Sequence, residues 1–142
     1  MQISKKADYA LRAMAILAAQ PPEKTMQAWE LADTGDIPIK FLEQILLTLR
    51  RAGLLHSKRG VGGGYRLDRE SRLISVADVI EVVDGELVRL LDSEGYPNFT
   101  GSTGIRHCLD EAEREINERF TKTSLEDLIR SEAGDSMAGY GI

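Results

Sequence analysis

The chain has 142 residues, 42% hydrophobic and 29% charged, with a formal net charge of −5. That profile fits one globular domain, or one domain with an extension, long enough to bury its own core. No apolar run approaches the roughly 20 residues that cross a bilayer, and the single cysteine, Cys108, excludes an intrachain disulfide or a site needing two thiolates of one chain.

The net charge conceals an asymmetry. Residues 1–72 carry 12 Lys/Arg against 8 Asp/Glu, a net of +4, and residues 73–142 carry 6 against 15, a net of −9. A basic first half in an acidic chain points to a polyanion as the partner of that half. His56 and His107 are far apart in sequence, so no zinc-ligand spacing appears and no metal or cofactor is expected.

The opening "MQISKKADYALRAMAILAAQ" turns from cationic to apolar as a signal peptide does, but Asp8 and Arg12 interrupt it. Its apolar residues Ala7, Ala10, Leu11, Met14, Leu17 and Ala18 recur at helical spacing, so the expectation is a folded helix from Ser4 to about Ala19, in a cytoplasmic protein with no membrane partner. Pro21-Pro22 ends it. A short second helix is expected over about Met26–Asp33, carrying Trp29, Leu31 and Ala32. "DTGDIP" reads as a tight turn, with Gly35 supplying backbone freedom and Pro38 at the first position of the next helix.

From Pro38 to about Ala52 the pattern is strongly amphipathic. Phe41, Leu42, Ile45, Leu46 and Leu49 are expected to face inward, leaving Lys40, Glu43, Gln44, Thr48, Arg50 and Arg51 outside. Gly53 stands where a glycine cap belongs. "LLHSKR" and "GYRLD" are two short strand candidates about a glycine-rich turn, and Ser75 with Asp78 predicts a capped helix to about Asp84. The order helix–helix–turn–helix–strand–strand is that of a winged helix-turn-helix, so residues 1–85 are expected to form a mainly α domain with a small β wing.

Residues 86–103 read as a loop with little structure of its own, a candidate sensor region. From Gly104 to about Phe120 a long helix carries one apolar stripe, Ile105, Leu109, Ala112, Ile116 and Phe120, against a charged face. Such a stripe beyond the first domain asks for a partner, and a homodimer is the economical one; folding back onto its own domain is the alternative. Cys108, beside Leu109, is expected as a small packed residue. Thr123 and Glu126 are expected to cap a short helix, "SLEDLIRSE", so residues 104–132 form the dimerisation helix and a capping helix, and 133–142 a disordered tail.

The stretch "SKRGVGGGYRL" could suggest a nucleotide loop. It lacks the Lys-Ser/Thr ending of a P-loop and is followed by strand-like residues, and Tyr65 stands where G-x-G-x-x-G needs its last glycine. An enzyme is therefore not expected. As a wing tip the segment projects Lys58 and Arg59, while Gly60 permits close backbone approach, and an arginine suits a narrow minor groove. Lys40, Glu43 and Gln44 at the start of the amphipathic helix suit base edges in a major groove. Lys5, Lys6, Arg50 and Arg51 suit phosphates. Double-stranded DNA is the expected partner.

"ISKKADYALRAMAILA", "IPIKFLEQILLTLRRAGLLHSKRGVGGGYRL" and "ISVADVIEVVDG" together closely resemble the Rrf2 family of bacterial transcription regulators. The resemblance covers about residues 1–85. It implies a winged-helix homodimer with a long dimerisation helix on a palindromic operator, with Glu43 and Gln44 as recognition-helix readers and Arg59 in the minor groove; the expected regulator is a repressor. Cluster-binding members place three cysteines before the dimerisation helix, the last falling near Thr103 here, yet Leu91–Thr103 contains none. The resemblance thus implies a member without a cysteine-ligated iron–sulfur cluster. A redox sensor using Cys108, His107 and carboxylates of two chains, and a regulator controlled by an enzyme partner, stay open beside it, as does a small-molecule effector. Asp8 matches a cluster-ligating position in one branch of the family.

Overall fold

Ser4 opens the first helix and ties it to the far end of the same domain. In the computed structural model, which describes residues 2–138, its hydroxyl accepts the Ala7 N–H at 2.9 Å and donates to the Asp84 carboxylate at 2.8 Å. Helix α1 (Lys5–Ala18) then buries Ala7, Ala10, Ala13, Met14 and Leu17. Small residues on this face let α1 pack against each of α2 (Ala28–Gly35), α3 (Ile39–Arg51) and α4 (Val76–Asp84).

Helix α2 starts later than its periodicity suggests because Met26 is used elsewhere. The Met26 N–H donates to the Tyr65 carbonyl at 2.9 Å and its carbonyl accepts the Tyr65 N–H at 2.7 Å, which adds a third short segment to the wing. In the turn to α3, Asp36 and not Gly35 takes the left-handed conformation, with φ 52°. Gly35 sits close to side chains: a Cβ there would lie 2.9 Å from Ile37 Cδ1, the end of a side chain that would have to shift. Arg12 closes the end of α2 by donating to the carbonyls of Gly35 at 3.0 Å and Asp36 at 3.2 Å. Asp8, paired with the same guanidinium at 2.8 Å, raises its pKa by accepting its hydrogen bonds.

Pro38 is the residue before α3 rather than the first within it; its carbonyl accepts the Leu42 N–H at 3.0 Å. Leu42, Ile45, Leu46 and Leu49 are buried as their spacing predicts. Phe41 is not: it is 51% exposed and meets Tyr9 edge-on at 6.0 Å. At the helix end the Leu54 N–H reaches the Leu49 carbonyl and the Gly53 N–H the Arg50 carbonyl, both at 3.0 Å. With Gly53 at φ 83°, this is a Schellman cap. It turns the chain into β1 (Leu55–Lys58), which pairs antiparallel with β2 (Gly64–Leu67) from Leu55↔Leu67 to Lys58↔Gly64. The result is mainly α with a small β wing, as expected.

Ser75 and Asp78 form the predicted capping box of α4. Helix α5 (Ser102–Lys122) follows, and then α6 (Leu125–Ala138). The box at α6 is Ser124 with Asp127, one residue beyond the expected Thr123 and Glu126: each accepts the other's backbone N–H, at 3.0 and 2.9 Å. The shift follows from a bridge between Ser75 and Ser124, in which Val76 N–H donates to Thr123 at 2.8 Å and Leu125 N–H to Ile74 at 2.9 Å. Leu125 is fully buried, and α6 lies back on α1. Helix α6 also runs to Ala138, so residues 133–138 of the expected disordered tail are helical, and 139–142 lie outside the described residues.

Candidate nucleic-acid interface

Three elements converge beside α3. Lys40, Glu43 and Gln44 recur at i, i+3 and i+4, so they share one helix face, and all three are exposed. Lys6 of α1 stands across a shallow groove from Lys40, Phe41, Gln44 and Thr48, which brings the first turn of α1 to the same face. Lys5 is exposed on the adjoining position and Arg51 at the end of α3. Arg50 reaches across to the wing, its guanidinium 3.4 Å from Ser57 Oγ.

The wing is held from outside its own hairpin. Gly63 N–H donates to the Gly60 carbonyl at 2.9 Å, closing the tip. Thr25 Oγ1 donates to the Gly62 carbonyl at 2.8 Å, and Gln27 Nε2 to the Gly63 carbonyl at 3.0 Å. A Cβ on Gly63 would lie 2.3 Å from the Lys58 carbonyl oxygen, so the tight return demands glycine there. Lys58, Arg59 and Gly60 are exposed on the near arm. The buttress of Thr25, Met26 and Gln27 leaves no sequence signal, because it is a non-local pairing made by three unremarkable residues. Phe41 was missed for another reason: its position fits the apolar period, yet it sits at the edge of the buried stripe.

Cations on this face are not answered by acids. Among the described residues Lys5, Lys6, Lys40, Lys58 and Arg59 stand in no ion pair; Arg12, Arg66, Arg72, Arg89 and Arg130 are each paired with an acid, and Arg69, Arg106, Arg114 and Arg119 are not.

The second candidate region behaves differently from its sequence pattern. The segment after α4 is docked along α5: Asn117 receives the Val88 N–H at 3.1 Å and donates to the Val88 carbonyl at 2.9 Å, and Glu113 accepts the Leu90 N–H at 2.8 Å. Ser102 Oγ accepts the Phe99 N–H at 3.2 Å. On α5, Leu109, Ala112, Ile116 and Phe120 are only half-buried and Ile105 is exposed; Phe120 touches the core. Cys108, expected to be packed, is exposed, because it lies off the stripe.

The Rrf2 family profile, described as an iron-dependent transcriptional regulator, matches residues 3–131. The transcriptional regulator IscR of Xenorhabdus nematophila is 34% identical over 137 residues, spanning 93% of this chain and 81% of that one. Among solved structures, the global cysteine regulator CymR of B. subtilis superposes with a TM-score of 0.76 at 32% identity, over 90% of this chain and 95% of that one. T. potens IscR does so with 0.78 at 30% identity, over 99% and 95%.

The family description raises the question of iron. The single thiol of the chain lies on α5, outside the loop, and among the described residues no three His, Cys, Asp or Glu side chains converge as ligands. His107 faces Glu111 at 3.5 Å, and Asp8 is bound to Arg12. The donors of one chain therefore do not fit a cysteine-ligated cluster. Matched over most of its length in sequence and superposing on solved relatives, the chain belongs to the Rrf2 family of transcriptional regulators.

Proposed function

We propose that the protein is a sequence-specific DNA-binding regulator, a repressor acting as a homodimer on a palindromic operator. The observation that carries this reading is the gathering of Lys5 and Lys6 from α1, Lys40 from α3 and Lys58 and Arg59 from the wing around one exposed helix face, each exposed and in no ion pair among the described residues. Lys40, Glu43 and Gln44 read base edges in the major groove. Lys5, Lys6, Arg50, Arg51 and Lys58 meet phosphates, and Arg59 enters the minor groove with the Gly60 backbone close by. Residues 1–85 bind DNA. Ile105, Leu109, Ala112, Ile116 and Phe120 bring two chains together, which sets half-sites about 34–36 Å apart. The segment 86–103 receives the signal, from a small molecule or a protein partner, in the cytoplasm.

Selecting bound sequences from random DNA tests the reading: an enriched inverted repeat is expected, and no enrichment would overturn it. Binding to the selected site should weaken steeply with salt as condensed counterions are released. Purification without oxygen adds a second discrimination. A colourless, iron-free protein that binds fully supports control without a cluster, whereas a coloured protein that needs iron to bind would move the reading to a redox sensor.

A further inference from the structure

The wing tip carries one side chain that neither charge nor core packing explains. From Gly60 to Gly64 the sequence is GVGGG, so Val61 is the only side chain in five consecutive positions. It is fully exposed, at 103%, more so than any other large hydrophobic side chain named among the exposed ones. Its neighbours Gly60 and Gly62 have φ of 88° and 75°, and neither would have an added Cβ within 4 Å of any other group. The turn beneath it is fixed. Gly63 N–H to Gly60 carbonyl closes it, and Thr25 and Gln27 hold the carbonyls of Gly62 and Gly63 from the α2 side. A β-branched side chain has few rotamers to lose when it is docked. The tip is thus a rigid apolar point directly following the unpaired Lys58 and Arg59.

Cations on one side and a bare methyl-bearing tip on the other fit the floor of a minor groove. Over an A·T pair that floor offers acceptors and the flat C2–H edge of adenine, whereas a G·C pair raises the guanine amino group into the groove. Two methyl groups pressed onto that amino group would collide with it and strip water from a donor that valine cannot satisfy. We propose that Val61 is a specificity-determining residue that selects A·T pairs where the wing meets the minor groove, by excluding the guanine amino group. This rests on the DNA-binding reading above and assigns the discrimination to shape and desolvation at Val61 rather than to the charge of Arg59.

The test uses the selected operator and exchanges only minor-groove chemistry. Replacing adenine by 2,6-diaminopurine at the A·T pairs facing the wing adds an amino group to the minor groove and leaves the major-groove edge intact. The unaltered protein, Val61→Ala and Arg59→Ala are compared by fluorescence anisotropy. The substitution is expected to weaken the unaltered protein and Arg59→Ala about tenfold, the scale of one mismatched pair, and Val61→Ala by less than about threefold. If no operator is selected at all, the DNA-binding reading fails. If the operator is bound but diaminopurine has no effect, or costs Val61→Ala as much as the unaltered protein, or is silenced by Arg59→Ala alone, the assignment to Val61 is overturned. Circular dichroism of Val61→Ala is expected to be unchanged, since the side chain touches no other element.

Discussion

The two halves of the molecule bury themselves in opposite ways. In α1–α4, whole faces vanish from solvent: Ala7, Ala10, Ala13, Met14, Leu31, Leu42, Leu46, Leu49 and Val79 are all fully buried. Helix α5, the longest at 21 residues, buries one, the serine at its start. In proteins most helical stability comes from tertiary packing of an amphipathic face rather than from intrinsic propensity. The docked segment 86–101 covers part of α5, and the stripe from Ile105 to Phe120 is left half-covered. The first half closes a core of its own elements, while α5 leaves its apolar stripe half-covered. Helix α6 breaks the simple division, since Leu125 returns to the core and α6 packs on α1.

Leu125→Ala challenges that division most severely. Removing a fully buried leucine costs about 2–5 kcal/mol, so urea denaturation at fixed protein concentration should show a loss of this size in a single transition. A loss below about 1 kcal/mol would place α6 with α5 rather than with the first domain.

Ile116→Asp probes the other side of the comparison. The side chain is half-buried on the stripe, so the charge should leave the fold of residues 1–85 intact and convert the proposed homodimer to a monomer in sedimentation. Operator affinity should fall on the order of a hundredfold or more, the scale of losing the second of two linked contacts. A stable dimer with unchanged affinity would mean that the stripe serves another purpose.

Asn117→Ala sharpens the status of the segment between the halves. Two hydrogen bonds to Val88 are lost, each contributing about 0.5–1.5 kcal/mol. The Val88 amide should then lose about 1–3 kcal/mol of protection in hydrogen exchange, the sum of those two bonds, with little change in the amides of α3. Equal protection before and after would show that the segment is held by its apolar residues alone.

How much of this was legible in the sequence follows the same boundary. The stripe of α1, the stripe of α3 apart from Phe41 at its edge, and the Ser75–Asp78 box are local patterns that appeared where their spacing put them. So did the wing, because glycines and alternating residues mark a hairpin. The errors lie where a residue answers to a distant neighbour. Met26 left α2 for Tyr65. Gly35 proved to lie against the Ile37 side chain, and the left-handed residue proved to be Asp36. The loop 86–103 looked unstructured because nothing local reveals that Asn117, 29 positions on, mimics a strand edge for Val88. The site residues were legible as types on a helix face and a turn. The groove that joins Lys6 to Gln44 was not, since it depends on the packing of α1 against α3.

The smallest expected effect concerns the joint where α6 leaves α5. Asp127 accepts the Ser124 N–H and answers the Ser124 hydroxyl, and this backbone hydrogen bond, followed by the side-chain one, holds its pKa below the ordinary carboxylate value. A pKa depressed in the folded state contributes stability above the unfolded value and loses it as pH falls through the folded one. Acidification from about pH 5 toward pH 2 should therefore release the cap and speed exchange at the Ser124 amide before the α1–α4 core opens. Asp127→Asn keeps an acceptor in place but cannot titrate, so it should flatten that dependence while the Ser75–Asp78 box, in the first domain, behaves as before. If both proteins lose Ser124 protection along the same pH curve, the joint is governed by the Ser75–Ser124 bridge, and α6 is held to the first domain by backbone pairing and Leu125 rather than by its own cap.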